Sequence, residues 1–273
     1  MTITSLVDDY CPKRGLHGEH GLSLHIEVSG RAILFDAGQD DLHIRNAKRL
    51  NIDLTALDAV VLSHGHYDHG GGLGALYEHL APLPPPLLVG AGYNARRLSR
   101  TGDQTSDIGI ASPIVPESCP SPVVINSIQE IVPGVFIQPR AELVDETDLA
   151  PRFRSISGTV EEIDRFEDEL SLTILEDDGL TVITGCAHRG VFNIVEEARR
   201  AFPGYRLKAI VGGFHLAESP SAILSRIAGD LAALDPEFIY CAHCTGPRGF
   251  SALSETIRGT VTWLSCGSRI SIE

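Results

Sequence analysis

Residues 64–69 place three histidines and one aspartate in six positions, His64-Gly-His66-Tyr-Asp68-His69. Apolar residues precede this hexapeptide and three glycines follow it, which predicts a buried strand that ends in a tight loop. Neutral imidazole nitrogens and carboxylate oxygens are ligands that suit zinc and similar divalent metals. Alternation along the loop can direct His64 and His66 to one ion and Asp68 and His69 to a neighbouring ion. We therefore interpret the hexapeptide as a metal site; the alternative is a polar surface loop.

Three further histidines stand just after predicted strands in the second half of the chain. His188, His215 and His243 each follow an apolar run by one to four residues and lie near glycine or cysteine. A binuclear metal site needs about three protein ligands per ion, and the hexapeptide supplies four candidates. We expect the remaining ligands at the ends of later strands, on the same edge of the fold.

The hexapeptide resembles the His-x-His-x-Asp-His signature of the metallo-β-lactamase superfamily. The upstream segment Leu34-Phe-Asp36-Ala-Gly38 resembles the earlier strand-end aspartate motif of the same superfamily. The resemblance covers most of the chain. It implies an α/β (α+β) fold, the four-layer αββα sandwich of the metallo-β-lactamase fold, in which Asp36 supports the metal loop rather than binding a metal.

Five segments resemble one subgroup of this superfamily. They are residues 19–23, 63–69, 184–188, 212–216 and 242–246. The subgroup is labelled 7,8-dihydropterin-6-yl-methyl-4-(β-D-ribofuranosyl)aminobenzene-5′-phosphate synthase-like. The resemblance therefore suggests a pterin-like or phosphorylated substrate.

The chain departs from the wider superfamily after the late strand, where many members have a Gly-Asp pair whose aspartate bridges both metals. Here Cys186 follows Gly185, so either Cys186 takes that position as a thiolate ligand or His188 enters instead. Asp168 and Glu169, just before the strand predicted at residue 170, are candidates for the missing carboxylate.

The expected cofactor is a pair of divalent ions, with zinc ahead of iron and manganese because the ligands are rich in histidine. The expected ligands form two sets, one for each ion: His64, His66 and His188; Asp68, His69 and His243. His215 is then either a third-strand ligand or an acid that faces the substrate.

Other polar side chains each allow two interpretations. His20 either faces the cleft or ends the N-terminal segment. Arg189 and Arg248 either hold a substrate phosphate or carboxylate, or are ordinary surface arginines.

Cys241 and Cys244 form a single Cys-x-x-Cys, whereas a four-cysteine zinc or iron–sulfur site would need a second one. We interpret these thiols as small packing residues around the metal site.

The bulk properties fit a globular protein rather than a binder of nucleic acid or membrane surfaces. The chain has 273 residues and a formal net charge of −14, which disfavours polyanionic partners. Neither a signal-peptide core nor a run near the ~18 apolar residues of a membrane span is present in the sequence. We therefore expect a cytoplasmic protein with reduced thiols and a small-molecule substrate, without nucleic-acid or membrane partners.

The apolar pattern predicts strand hairpins early in the chain and alternating strands and helices late. Alternation over residues 22–28 predicts a half-buried strand with His25 on its solvated face. Strands at 170–175, 180–184 and 208–211 are predicted around a helix over 191–201. We expect one domain over residues 1–273, with an insertion at about 90–155 that covers the active site. A peripheral hairpin layer is the alternative for that segment.

These features favour an enzyme, either a metal-dependent hydrolase or a related transferase. The metal pair would lower the pKa of a shared water toward ~7, and this water would attack a phosphoryl or carbonyl centre. Asp68 and His215 are the candidates for moving the proton. Two alternatives stay open: a metal- or flavin-dependent binding or electron-transfer protein on the same fold, and a nuclease of the superfamily, which the acidity of the chain disfavours.

Overall fold

Two seven-stranded sheets face each other across the centre of the molecule. The computed structural model describes residues 1–144, 149–177 and 179–272. The first sheet contains, in order across it, β18 (Arg269–Ser271), β1 (Thr2–Val7), β2 (Ser23–Val28), β3 (Arg31–Phe35), β4 (Ala59–Val61), β5 (Leu87–Gly90) and β8 (Val123–Ile125). The second contains β17 (Thr260–Trp263), β16 (Phe238–Cys241), β15 (Arg206–Gly212), β14 (Gly179–Thr184), β13 (Leu170–Glu176), β10 (Val135–Pro139) and β9 (Gln129–Val132).

Helices cover the outer faces of both sheets. They are α1 (Leu42–Leu50), α2 (Tyr67–Gly70), α3 (Leu73–Leu80), α4 (Val191–Ala201), α5 (Ser221–Ala233) and α6 (Gly246–Thr256), with short 3₁₀ turns at Leu54–Ala56 and His243–Thr245. Among the described residues, none of the helices is both long enough and apolar enough to cross a membrane.

Three layers of apolar side chains hold the sheets and helices together. The central layer lies between the sheets and joins residues such as Phe35 and Val61 to Leu172 and Val211. A second layer packs α1 and α3 on the first sheet, and a third packs α4, α5 and α6 on the second. Burial of this apolar area drives the assembly. The predicted four-layer αββα sandwich is confirmed.

Parallel pairing brings several strand ends to one edge of the sandwich. In the second sheet, β14, β15, β16 and β17 run parallel to one another. In the first sheet, β3 runs parallel to β4. Residues that follow these strands therefore collect at a common edge, which explains how positions far apart in the sequence meet.

A third, four-stranded sheet lies outside the two main ones. It contains β12 (Val160–Ile163), β11 (Phe153–Ser157), β6 (Arg96–Thr101) and β7 (Gln104–Asp107). The segment 90–155, predicted to be an insertion, is therefore divided between the third sheet and the two main sheets. Its strands β8, β9 and β10 pair with the main sheets because their apolar residues Ile125, Val135 and Ile137 belong to the central layer. The third sheet extends beyond residue 155, and residues 145–148 of the predicted insertion lie outside the described part of the chain.

His25 is placed differently from the prediction. The side chain is buried, although alternation along β2 predicted that it faces solvent. Its partners on the neighbouring strands, Thr4 and Leu34, are buried as well. β2 lies inside the sheet, and its outer face is covered, so a polar residue in the alternation does not mark solvent here.

Candidate metal centre

Three buried imidazoles form the first donor set, namely His64, His66 and His188. The loop after β4 provides two of them, and the loop after β14 provides His188. The Nε2 atoms of His64 and His188 lie 3.2 Å apart, and the ligand atoms of all three residues lie within 4.8 Å of one another. Around a tetrahedral ion bound at ~2.0–2.1 Å, neighbouring ligand atoms are about 3.3–3.4 Å apart. The spacing therefore suits a single ion.

The protonation of this first donor set also suits a cation. Burial lowers the pKa of all three imidazoles well below the ordinary value, so they are neutral, the form in which histidine binds metals. The Nε2 atom of His66 is buried and has no hydrogen-bond partner within the described parts of the chain. Such an orphan nitrogen is unfavourable unless another group occupies its lone pair. The donor set thus fits a divalent ion.

The carboxylate of Asp68 is the centre of the second donor set. Its Oδ2 atom lies 3.3 Å from Nε2 of His243 and 3.8 Å from Nε2 of His69. Nε2 of His20 lies 3.3 Å from the same oxygen. Burial would raise the pKa of Asp68, but the neighbouring His69 and His243 outweigh burial and hold the pKa well below its usual range. Asp68 is therefore ionised and able to bind a cation.

In His69 and His243 the other ring nitrogen, Nδ1, lies against a carboxylate. Nδ1 of His69 lies 2.6 Å from Asp36, which also accepts hydrogen bonds from the Ser63 backbone N–H and hydroxyl. Nδ1 of His243 lies 2.6 Å from Asp9. Because Nδ1 of each ring lies against a carboxylate, Nε2 is the nitrogen that remains for a metal. Asp36 thus contacts the metal loop where the resemblance places a supporting residue.

Asp9 is a site residue that the sequence reasoning missed. It lies two residues beyond β1, and its carboxylate also faces Nδ1 of His20 at 2.9 Å. Burial would raise the pKa of Asp9, but its hydrogen bonds with His20 and His243 hold the pKa well below the usual range. A signal was available, since Asp8-Asp9 directly follows a strand, but a carboxylate pair of this kind is common at ordinary strand ends.

Cys186 lies between the two donor sets. Its sulfur is 3.1 Å from Nε2 of His69, and it shares clusters with His64 on one side and with His188 and His215 on the other. Burial raises the pKa of the Cys186 thiol well above the ordinary value. Cys244 also belongs to this region, in a cluster with Cys186 and His243. Cys186 therefore lies within reach of both donor sets, and its role as a thiolate ligand stays a prediction.

The structure places Asp168 and Glu169, the two candidates for the missing carboxylate, against hydrogen-bond donors of the protein. Asp168 accepts hydrogen bonds from the Gly65 N–H at 2.7 Å and from the Arg97 guanidinium at 2.6 Å. Glu169 accepts from the backbone N–H groups of His188 and Arg189 at 2.6 and 3.0 Å. Both carboxylates are buried behind the loops that carry the histidines, and these donors occupy them.

The two arginines near the candidate ligands also lie away from the donors. Arg189 donates to the carbonyl oxygens of Ala141 and Arg165, and its side chain lines a separate charged cavity. Arg248 is hydrogen-bonded to Ser221 in an exposed position. Neither side chain lines the cavity that contains the histidines, so their positions give no support to an anion-binding role in this cavity.

His215 lies beside the first donor set. Its ring centroid is 4.5 Å from that of His188, and its Nδ1 atom is buried without a hydrogen-bond partner in the described chain. The backbone φ of His215 is 52° and that of His243 is 46°, in the left-handed region that non-glycine residues rarely adopt. Strained backbone of this kind concentrates at functional sites. The position is compatible with either predicted role, ligand or acid.

A cavity of about 770 Å³ opens onto both donor sets. Its polar residues include His66, Asp68, His188, His215 and His243. Its walls carry five aromatic side chains: Tyr10, Tyr67, Phe153, Phe250 and Trp263. The third sheet and its flanks add Ser99, Ile108 and Arg152 to the lining. Apart from Tyr67, which lies inside the hexapeptide, the sequence reasoning missed these wall residues because they come from segments without a motif.

Comparisons with known proteins identify relatives of the chain. A family model described as Metallo-beta-lactamase superfamily matches residues 18–86. A Methanocaldococcus jannaschii protein named 7,8-dihydropterin-6-methyl-4-(beta-D-ribofuranosyl)-aminobenzene-5'-phosphate synthase is 26% identical, over 99% of this chain and 96% of its own length. An uncharacterized protein of the same organism is 30% identical, over 93% of this chain and 94% of its own. The crystal structure of Tm1679, a metal-dependent hydrolase of the β-lactamase superfamily, matches with 30% identity and a TM-score of 0.84, over 100% of this chain and 99% of that one.

Proposed function

The chain belongs to the metallo-β-lactamase superfamily, and on that premise we propose that it is a metal-dependent hydrolase or a related transferase. Its substrate would be a small phosphorylated or pterin-like molecule. One observation carries the proposal: members of two adjacent donor sets line the same cavity, and its volume of about 770 Å³ is in the usual range for a small-molecule site.

Two divalent ions fit the donor sets, with His64, His66 and His188 holding one and Asp68, His69 and His243 the other. Zinc suits imidazole-rich ligation, with iron and manganese as alternatives. When bound, such ions would supply Lewis acidity that activates water near neutral pH and polarises a phosphoryl or carbonyl oxygen.

The chain's own side chains would move the protons. Asp68 lines the cavity, and we assign to its carboxylate the acceptance of a proton, at the oxygen that does not face the imidazoles. His215 lines the same cavity from the opposite donor set, and its imidazole can deliver a proton to a leaving group. The buried carboxylates of Asp36 and Asp168 would keep the loops in place during turnover.

The walls of the cavity support a ring-containing, phosphorylated substrate. Aromatic side chains such as Phe250 and Trp263 offer flat surfaces against which a heterocycle can stack. Arg152 also lines the cavity, where its guanidinium lies over the Phe153 ring and pairs with Glu218, and we propose that a substrate phosphate replaces Glu218 in this pair. One relative is itself named as a synthase of a dihydropterin phosphate. We propose that the third sheet covers the substrate, and that the net charge of −14 keeps nucleic acids away.

The test combines elemental analysis with a substrate panel. The purified protein is expected to carry up to two divalent ions per chain, and to act on at least one compound among phosphoesters, lactones and phosphorylated reduced pterins. His64→Ala should abolish the activity, whereas His79→Ala, an exposed histidine near the end of α3, should not. A metal-free protein with bound flavin and no hydrolytic or transferase activity would contradict the proposal and favour electron transfer.

A further inference from the structure

We propose that His20 is a fourth protein ligand of the second metal ion, and that Asp9 is the residue that positions His20 and His243 for that ion. The inference rests on the proposed binuclear site. It assigns the N-terminal segment between β1 and β2 a direct part in metal binding.

The distances around Asp68 carry the assignment of His20. Nε2 of His20 and Nε2 of His243 each lie 3.3 Å from Oδ2 of Asp68. This equals the separation of about 3.3–3.4 Å between neighbouring ligands of a tetrahedral zinc ion. It exceeds the ~2.7–2.9 Å of a charge-assisted hydrogen bond between nitrogen and carboxylate. The two imidazoles therefore approach Asp68 in the same way, at a separation longer than a charge-assisted hydrogen bond and equal to that of neighbouring zinc ligands.

Asp9, in contrast, contacts both imidazoles at hydrogen-bond distances. One carboxylate oxygen lies 2.6 Å from Nδ1 of His243, and the other lies 2.9 Å from Nδ1 of His20. These distances are hydrogen bonds, too short for neighbouring ligands on one ion. A single carboxylate thus fixes the tautomer of two rings, whose centroids are 4.7 Å apart, and turns both Nε2 atoms toward Asp68. A carboxylate behind a ligating histidine is a common supporting arrangement in metal sites.

The backbone around His20 is held in place, whereas its imidazole is half-exposed and is held by Asp9. The next residue, Gly21, donates its N–H to Asp9 at 3.1 Å, and a side chain at Gly21 would overlap the carbonyl oxygen of Asp68. The carbonyl oxygen of His20 accepts a hydrogen bond from Gln39 at 2.6 Å. Asp8 holds the start of the segment by accepting from the His243 N–H and from the Trp263 indole. The segment is therefore anchored on the loops that carry the other ligands.

A consequence is that the two ions differ in their protein ligands. The second ion would be bound by Asp68, His69, His243 and His20, which fills a tetrahedral shell. The first ion would be bound by His64, His66 and His188, which leaves a position open. Catalytic zinc sites keep such an open position, whereas structural sites close it.

The experiment measures zinc binding to metal-free protein, with a chromophoric chelator as competitor, and cobalt absorption as a second readout. The wild type should bind two zinc ions. His20→Ala should keep one ion and weaken the other by at least about 10-fold, with an altered cobalt spectrum. Asp9→Asn should weaken the same ion by about 10–100-fold and keep the ligand-field pattern. His17→Ala, an exposed histidine in the same segment, is the matched control and should behave as wild type.

The outcomes separate the inference from the proposed function. Two ions in the wild type with unchanged affinity and spectrum in His20→Ala would overturn the role of His20 alone. Wild-type affinity in Asp9→Asn would overturn the role of Asp9. A wild type that never binds a second ion would overturn this inference together with the binuclear function. Should His20→Ala fail to fold, His20→Asn replaces it, because its amide can still donate to Asp9.

Discussion

The guanidinium of Arg97 donates a hydrogen bond of 2.6 Å to Asp168, and both side chains are buried. Asp168 accepts the N–H of Gly65, inside the hexapeptide, with its other oxygen. A side chain at Gly65 would overlap the Tyr93 carbonyl and the Arg97 guanidinium, so the loop can pass this close only with glycine. The carboxylate that the sequence suggested as a metal ligand instead joins the metal loop to the third sheet.

Asp168→Ala should therefore lower the free energy of unfolding by about 2 kcal/mol, because it removes one of the two buried carboxylates, Asp168 and Asp164, that pair with Arg97 and leaves the Gly65 N–H without its acceptor. Urea unfolding of the metal-free protein measures this. The control is Asp107→Ala, which removes the exposed ion pair with Arg96 in the same sheet and should cost less than about 1 kcal/mol. Equal losses in the two variants would mean that the buried pair has no special structural role.

Individual strands and helices of the main fold were accessible from the sequence because their signals are local, whereas the four-layer sandwich was expected from the family resemblance. The hydrophobic runs of β2, β13, β14 and β15 and the amphipathic pattern of α4 predicted these elements close to their observed positions. Parallel strand ends then placed His188, His215 and His243 on one edge. These inferences need nothing beyond neighbouring residues and the general geometry of sheets.

The rest depends on contacts between residues distant in sequence. Asp9 meets His243 across 234 positions, and Arg97 meets Asp168 across 71. No spacing rule in one sequence specifies such pairs. His25 was misplaced for a related reason, since alternation shows which residues share a face but not whether that face is covered. The aromatic wall was missed because Phe153, Phe250 and Trp263 belong to no motif.

Replacing a histidine of the first donor set should cause a specific loss of metal. His64→Ala and His66→Ala should each lose at least one ion per chain, because each removes one of three imidazoles around the same position. Inductively coupled plasma analysis measures the metal content, with His79→Ala as the control. Full occupancy in both variants would show that these residues do not bind the metal. The metal-free protein should stay folded, since the sheets have their own apolar layers.

The Asp68→Asn variant tests whether the function needs the negative charge of this side chain or only its size. The amide keeps the volume of the carboxylate but cannot be ionised, so it can neither take up a proton nor bind a cation strongly. We expect a loss of turnover by a factor of roughly 100 or more on any true substrate. Steady-state kinetics on the substrate found in the panel measures it. A rate equal to that of the wild type would favour a binding or electron-transfer function.

The buried His43, which lies away from the metal site, should make the stability of the protein depend on pH. Burial lowers the pKa of this α1 residue from 6.5 to about 4. Between these values the unfolded chain binds a proton that the folded protein does not, so stability is full above pH 6.5 and falls as the pH drops toward 4. Over the whole window from pH 6.5 to 4, the free energy of unfolding should fall by about 3 kcal/mol.

The measurement for His43 compares urea unfolding of the metal-free wild type and His43→Gln at several pH values between 7.5 and 4. Other buried histidines contribute equally to both proteins, so the difference between the two curves isolates His43. The wild type should lose more stability than the variant as the pH falls. Parallel curves would mean that His43 titrates normally in the folded state.

The central claim is that the two donor sets hold two metal ions at the edge of the sandwich. A crystal of zinc-loaded protein, with anomalous data collected at the zinc edge, tests it most directly. We predict two peaks, one roughly 2.0–2.3 Å from nitrogens of His64, His66 and His188, and one at the same distance from Asp68, His69 and His243. Anomalous density elsewhere, with His188 and His243 turned away from the hexapeptide, would contradict the account.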